Sequence, residues 1–224
     1  MVEAPVKVAE ARECIASALA ESTVAALTCS FQAEDMVVLH LLREAQPQIP
    51  VLFLDTGYHF DEVYRYRDEM TARYGLNLVS LIPERTVAEQ EAQFGLLYRS
   101  QPDQCCKMRK VVPLFSALEH YEVWFTGLRR VQSPTRANLR TADRFPLPSG
   151  KHLLKVSPLA DWSDKEVWGF AKENGIPLLP LYEDGFTSIG CRPCTQLPLD
   201  AGNARSGRWA GRKLECGIHI AEEH

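Results

Sequence analysis

Two rhythms of apolar and polar positions run through the first part of the chain. Residues 8–20 (VAEARECIASALA) carry apolar side chains at helical spacing and predict an amphipathic helix. The run 22–30 (STVAALTCS) is short, apolar and closed by small polar residues, which predicts a buried strand. Residues 33–45 set Met36, Val37, Leu39, Leu41 and Leu42 on a largely buried helix, and Pro47 and Pro50 break it. VLFLD at 51–55 predicts a second strand, 60–75 a helix ending at Gly75, and NLVSLI at 77–82 a third strand. A helix over 111–120 and a strand over 122–127 (EVWFTG) follow. Continuous apolar strands alternating with helices predict an α/β class fold. Its sheet should be doubly wound and mostly parallel, with helices on both faces.

The rhythm changes after Gly127. Residues 128–150 are rich in Arg, Pro and Ser with little periodicity and read as a long ordered loop. From His152 a strand and then a helix are expected, the helix starting at Ser163 with Glu166 three residues on, a capping box. Beyond about 177 Pro and Gly dominate, and the ending ARSGRWAGRKLECGIHIAEEH is too polar to build its own core. The expected division is an α/β domain over 1–200 and a C-terminal arm over 201–224, laid over a site.

Charge narrows the function. Twenty-five Lys and Arg against 29 Asp and Glu give a net charge of −4, unlike a general nucleic-acid binder. No apolar run approaches the roughly 20 residues of a membrane span, and MVEAPVKVAEARE lacks a signal-peptide core. A cytoplasmic protein with neither membrane nor nucleic acid as partner is expected.

Ligands of a doubly wound sheet bind beyond the carboxyl ends of its strands, where three loops fall. In CSFQAED (29–35) a helix begins just after Ser30, so that serine either caps the helix or shares its N-terminus with an anion. No Walker signature is present. In LDTGYHF (54–60), Asp55 could accept from a ribose or adenine donor. TGLRRVQSPTR (126–136) gathers Arg129, Arg130 and Arg136, and the tail adds Arg205, Arg208, Arg212 and Lys213. Two basic loop segments on an acidic chain suggest a small polyanion held by guanidinium forks.

Seven cysteines occur, at 14, 29, 105, 106, 191, 194 and 216. Cys14 and Cys29 read as small buried hydrophobes. Cys105-Cys106 and Cys191-Arg-Pro-Cys194 supply four thiols in two close pairs. Adjacent cysteines chelate one ion awkwardly but can ligate different irons, so a [4Fe–4S] cluster suits them better than tetrahedral zinc. A redox-active Cys-x-x-Cys disulfide is a further alternative, which leaves the vicinal pair unexplained.

These segments in order, SFQAED, LDTGYHF, CCKMRKVVPL, WFTGLRRVQSPTR, VSPLADWSDKEVW, SIGCRPCT, RSGRW and KLECGIH, closely resemble the assimilatory adenylyl-sulfate reductases. More broadly they resemble the phosphoadenylyl-sulfate reductase family. The resemblance implies an adenine nucleotide alpha-hydrolase-like fold, one [4Fe–4S] cluster on Cys105, Cys106, Cys191 and Cys194, and Cys216 as nucleophile. It implies substrate contacts at Ser30, Leu54, Asp55, Lys110, Gly127, Arg129, Arg136, Arg205, Arg208 and His219. The cluster-free branch lacks both cysteine pairs, so adenylyl sulfate is the expected substrate, with the 3′-phosphorylated nucleotide or dual use as alternatives. Gln32 and Ala33 occupy a loop that usually holds a glycine, so a positive φ at Gln32 would strain or reshape it.

The implied reaction is thioredoxin-dependent reduction of adenylyl sulfate to sulfite and AMP in sulfate assimilation. Cys216 would attack the sulfate sulfur and displace AMP, leaving an S-sulfocysteine for thioredoxin to reduce. Arg205, Arg208 and Lys213 would favour the thiolate and hold sulfate oxygens, and His219 would orient the sulfate or assist the thiolate. The cluster need not carry electrons in this scheme; Lys110 would couple its charge to the sulfate. The arm would act as a mobile lid, and a homo-oligomer is the expected assembly. An ATP pyrophosphatase of the same fold would not need Cys216 on an Arg-rich tail. A zinc-stapled binding module would not need the nucleotide end of a sheet.

Overall fold

The computed structural model describes residues 3–200, 202–213 and 215–219; the remainder of the predicted arm lies outside the described residues. Strands β1 (Ala25–Thr28), β2 (Pro50–Leu54), β3 (Asn77–Leu81) and β4 (Val123–Phe125) are joined by α-helical crossings. These are α2 (Ala33–Ala45), α3 (Asp61–Tyr74) and a helical passage from residue 87 to 118, with α1 (Glu3–Glu21) preceding them. β5 (Ala142–Pro146), β6 (His152–Val156) and α8 (Asp164–Glu173) complete the regular elements of the second half. The six strands pair in the order β3-β2-β1-β4-β6-β5, all parallel except β5.

Strand periodicity places the core on both faces. Ala25 and Leu27 of β1 and Val123 and Phe125 of β4 face a core that includes Ile15 of α1, Leu39 of α2 and Phe170 of α8. Ala26 and Trp124, one position out of phase, face the opposite core with Leu114, Leu118 and Leu153. The chain steps from β1 out to β3 and returns on the other side of β1 at β4. The carboxyl ends of β1 and β4 therefore flank the point where strand order reverses, the place where such sheets open a crevice.

The parallel sheet and its helices are those the sequence predicts, but two stretches differ. Residues 128–150 are not all loop, because Ala142–Pro146 adds an antiparallel edge strand against β6. Only Phe145 of that strand is buried, and it ends on a proline, as an edge strand tolerates, so no run of apolar residues announces it. The helix expected over 111–120 spans Val112–Leu118 (α7) and is preceded by α4 (Val87–Phe94), α5 (Leu97–Ser100) and α6 (Pro102–Cys106). A π turn over Lys107–Val111 joins α6 to α7. Pro113 has no N–H to return to the Arg109 carbonyl, and the winding widens there.

Candidate functional site

A cavity of about 460 Å³ lies at the carboxyl ends of the central strands. Ser30, Leu54, Lys110, Gly127, Arg129, Arg136, Arg205, Arg208, Cys216 and His219 all line it. Asp55 does not. Its carboxylate turns back to accept from the Tyr64 hydroxyl (2.7 Å) and pairs with Arg67 (3.7 Å).

The first loop differs from the capping reading of Ser30. Gln32, not Ser30, precedes the first residue of α2, and its side chain makes no capping bond. The Ser30 N–H and hydroxyl both donate to Asp35, at 2.7 and 2.6 Å. The left-handed residue is Phe31, at φ 60°, whereas Gln32 is extended at φ −77°. Phe31 is fully buried, with its ring edge-on to Phe53 and Tyr66. Packing of that ring offsets the roughly 1–3 kcal/mol that a non-glycine left-handed residue costs. Gln32 then bridges the loops, donating to Ser30 Oγ (3.0 Å) and accepting from the Ile189 N–H (2.8 Å). Burial, and then the nearby Glu34, push the Asp35 carboxyl up to about 6.

The basic residues divide by what holds them. Arg129 donates to the Trp162 carbonyl (3.2 Å) and pairs with Asp164 (2.6 Å). Arg136 gives Nε and Nη2 to Glu215, at 2.9 and 2.8 Å, and Nη1 to Gln132 (2.5 Å). Arg208 is buried, donates to Ser188 Oγ (3.3 Å) and the Ile189 carbonyl (3.2 Å), and lies 4.5 Å from the Trp209 ring centre. Lys213 and Arg205 flank the same ring at 5.1 and 5.9 Å. Trp209, Ala210 and Gly211 are all left-handed, at φ 48°, 51° and 74°, so the arm turns sharply at its base under those cations. Nε of Arg129 and of Arg208 and Nδ1 of His219 are buried with no hydrogen-bond partner among the described residues.

The last described residues of the arm form part of the cavity wall. The His219 ring stacks on Trp124 (5.4 Å, 17°), and its carbonyl accepts from Lys155 (3.3 Å). Burial, then the charges of Lys155, Arg136 and Arg205, hold His219 well below its usual pKa, so its imidazole is neutral at physiological pH. Lys155 sits 4.8 Å from the ring centres of both Trp124 and Phe145. Burial and the charge of Arg136 bring it down to about 7.

A second, smaller cavity lies behind the first, and Cys105, Cys106, Cys191 and Cys194 all line it. Lys110, Arg208 and Trp209 line both cavities and form the wall between them. All seven cysteines are free thiols. Thr56 Oγ1 lies 3.3 Å from Cys191 Sγ, and Gln90 Nε2 donates to Cys105 Sγ at 3.9 Å. Arg109 ties these supports together, bonding to the Thr56 carbonyl and to Gln90 Oε1 (3.1 Å). Burial, then the neighbouring thiols, push Cys105 up to about 11 and Cys194 to about 12. Burial opposes charge on Lys110 too, but negative charge on the Cys191, Cys216 and Cys106 sulfurs, where they are thiolates, outweighs it and favours the ammonium form.

Residues 24–197 match the model of the phosphoadenosine phosphosulfate reductase domain. The chain belongs to this family. It is 45% identical over 190 residues to adenosine 5′-phosphosulfate reductase of Mycolicibacterium smegmatis, covering 84% of this chain and 79% of that one. The enzyme of the same name from Streptomyces coelicolor is 47% identical over 188 residues, covering 83% and 78%. Among solved structures, phosphoadenylyl-sulfate reductase from Candida auris, in a phosphate complex, superposes with a TM-score of 0.72. At 24% identity, over 83% of this chain and 90% of that one, this likeness shows the fold.

Three residues of this reductase-family site escaped the sequence reading: Asp35 was visible only as part of SFQAED, Gln132 only as a neighbour of arginines and Glu215 only as the one acid of a basic tail. Gln32 was singled out for its backbone and not for the loops it bridges. A carboxylate inside a basic segment is the one local signal that marks Glu215.

Proposed function

We propose that this chain reduces adenylyl sulfate to sulfite and AMP in sulfate assimilation, with thioredoxin as electron donor and Cys216 as nucleophile. One observation carries the reading: the Cys216 thiol, five cations and unpartnered buried nitrogens face one cavity at the nucleotide end of the sheet. The names of the relatives above agree with it.

In the proposed reaction the Cys216 thiolate bonds to the sulfate sulfur and the sulfur–oxygen bond to the phosphate breaks. AMP leaves with that electron pair, giving Cys216–S–SO3⁻. One thioredoxin thiolate attacks the Cys216 sulfur and expels sulfite. The second thioredoxin thiol resolves the mixed disulfide, so two electrons pass from the dithiol and Cys216 is regenerated. Lys110, Arg205 and Arg208 would hold the sulfate oxygens. The neutral His219 would accept or donate at its unpartnered Nδ1.

The second cavity fits the proposed [4Fe–4S] cluster by its donor chemistry. Four thiols, three of them buried and that of Cys194 half-buried, face it from two segments, with polar supports on two of the sulfurs. When bound, the cluster supplies thiolate-ligated charge behind the wall formed by Lys110 and Arg208.

The deciding measurement is sulfite release with thioredoxin from adenylyl sulfate and from its 3′-phosphorylated form. A higher kcat/KM for adenylyl sulfate is expected, with roughly four irons per chain in anaerobically purified protein. A preference for the phosphorylated nucleotide, or stoichiometric zinc with full activity, overturns the reading.

A further inference from the structure

We propose that Glu215 is the clasp that closes the C-terminal arm and aims Cys216 into the cavity, a positioning residue one place before the nucleophile. The assignment deepens the proposed function and rests on it only for the chemical role of Cys216.

The contact is built, not incidental. The Glu215 side chain is 7% exposed and that of Arg136 11%, so the pair is out of water. The carboxylate takes two parallel bonds from the Arg136 fork, at 2.9 and 2.8 Å, and a third from Thr135 Oγ1 at 3.0 Å. Arg205 approaches it at 3.9 Å. Burial alone would raise the carboxyl, but the Arg136 bonds and charge hold it below its ordinary value, so it stays a carboxylate. A paired, buried, bidentate contact is the geometry in which an ion pair fixes position most firmly.

Its place in the chain gives it a consequence. Arg136 and Thr135 belong to the loop that follows β4, whereas Glu215 belongs to the arm. The next residue, Cys216, faces the cavity. Gly217, at φ 95°, then turns the chain so that His219 reaches Trp124. Cys216 is thus pinned between an ion pair on one side and a stacked ring on the other. The clasp also occupies the whole Arg136 fork, since Nη1 goes to Gln132. In the closed state, then, Arg136 holds the arm, and the substrate sulfate falls to Arg205, Arg208 and Lys110. This changes the substrate contact expected for Arg136 into a role exerted through Glu215.

The test reads the arm directly, without substrate. Alkylation of Cys216 by iodoacetamide is followed across pH in the full chain with its native metal content, and in its Glu215→Gln and Glu215→Ala variants. Release of the clasp should raise the plateau rate at high pH by about tenfold or more, as expected when one partner of a buried pair is removed. Loss of a neighbouring negative charge alone would shift the midpoint and leave the plateau unchanged. In single turnovers with adenylyl sulfate and no thioredoxin, both variants should form the Cys216 adduct at least about tenfold more slowly. AMP affinity should stay at the wild-type value, and reduction of preformed adduct by thioredoxin should not slow. An unchanged alkylation plateau overturns the clasp, as does a raised plateau with adduct formation at the wild-type rate. Absence of adduct in the wild type overturns the proposed reaction instead, and the alkylation plateau still decides the clasp.

Discussion

A single carboxyl group organises the nucleotide end of the sheet. Asp35 accepts from the N–H and hydroxyl of Ser30, from the first strand's loop, and from the Gly127 N–H, from the fourth strand's loop. Buried beside Glu34, it is pushed up to about 6, well above the ordinary 3.8 of an aspartate. The folded form therefore binds this proton more tightly than the unfolded chain does. Its contribution to stability is greatest below about pH 4 and declines as pH rises to about 6, after which it is level. Asp35→Asn keeps an oxygen acceptor but removes the titration. The difference in urea midpoint between variant and wild type should move in the variant's favour between pH 4 and 6. A difference that does not change over that interval would show that Asp35 ionises without strain.

At the scale of elements, the decisive contact is the approach of α2 to the end of β4. A Cβ on Gly127 would stand 2.3 Å from Asp35 Oδ1 and 3.0 Å from the Asp35 backbone nitrogen, neither of which can swing away. Gly127→Ala should cost about 2 kcal/mol or more by overpacking and weaken AMP binding, read by denaturant unfolding and calorimetry. A variant of wild-type stability would mean that the two loops part freely. This junction also shows what could be read in advance. β1, β2, β4 and β6 are buried on both faces, so their apolar runs declare a parallel sheet, and Ser163 with Glu166 declares the start of α8. β5 and α4 to α6 are short, mostly exposed elements whose form is set by what they lie against. A left-handed residue in this loop was considered only at Gln32 and falls on Phe31, because the choice depends on which side chain the core beneath the loop accepts. The cavity residues were legible as types of chemistry. The Glu215 contact was not, since it joins residues 79 apart in the chain.

Across the whole molecule, the two cavities share a wall, and the arm is fastened to both. Cys191 and Cys194 bracket a 3-10 turn that is held to the body by the Arg192 N–H on the Tyr58 carbonyl and by the Thr56 hydroxyl at Cys191. Thr195, just beyond, bridges to Arg208, and the arm's left-handed turn at Trp209 packs against the same cavity. A cluster bound by all four cysteines would therefore staple α6 to this turn, across the 84 residues that separate the pairs in sequence, and support the root of the arm. The metal and the nucleophile then separate cleanly by mutation. Cys194→Ser should lose iron, lower the thermal midpoint and speed trypsin cleavage at Arg205, Arg208 and Arg212, because the root of the arm loosens when one anchor is gone. Cys216→Ser, with no place in the second cavity, should keep its iron, its midpoint and its resistance to trypsin while releasing no sulfite. Iron analysis, a melting curve and timed digestion of both variants decide the matter. Equal protease resistance in iron-free Cys194→Ser protein would mean that the arm's seat is built by Arg208 and Trp209 alone, without support from the metal.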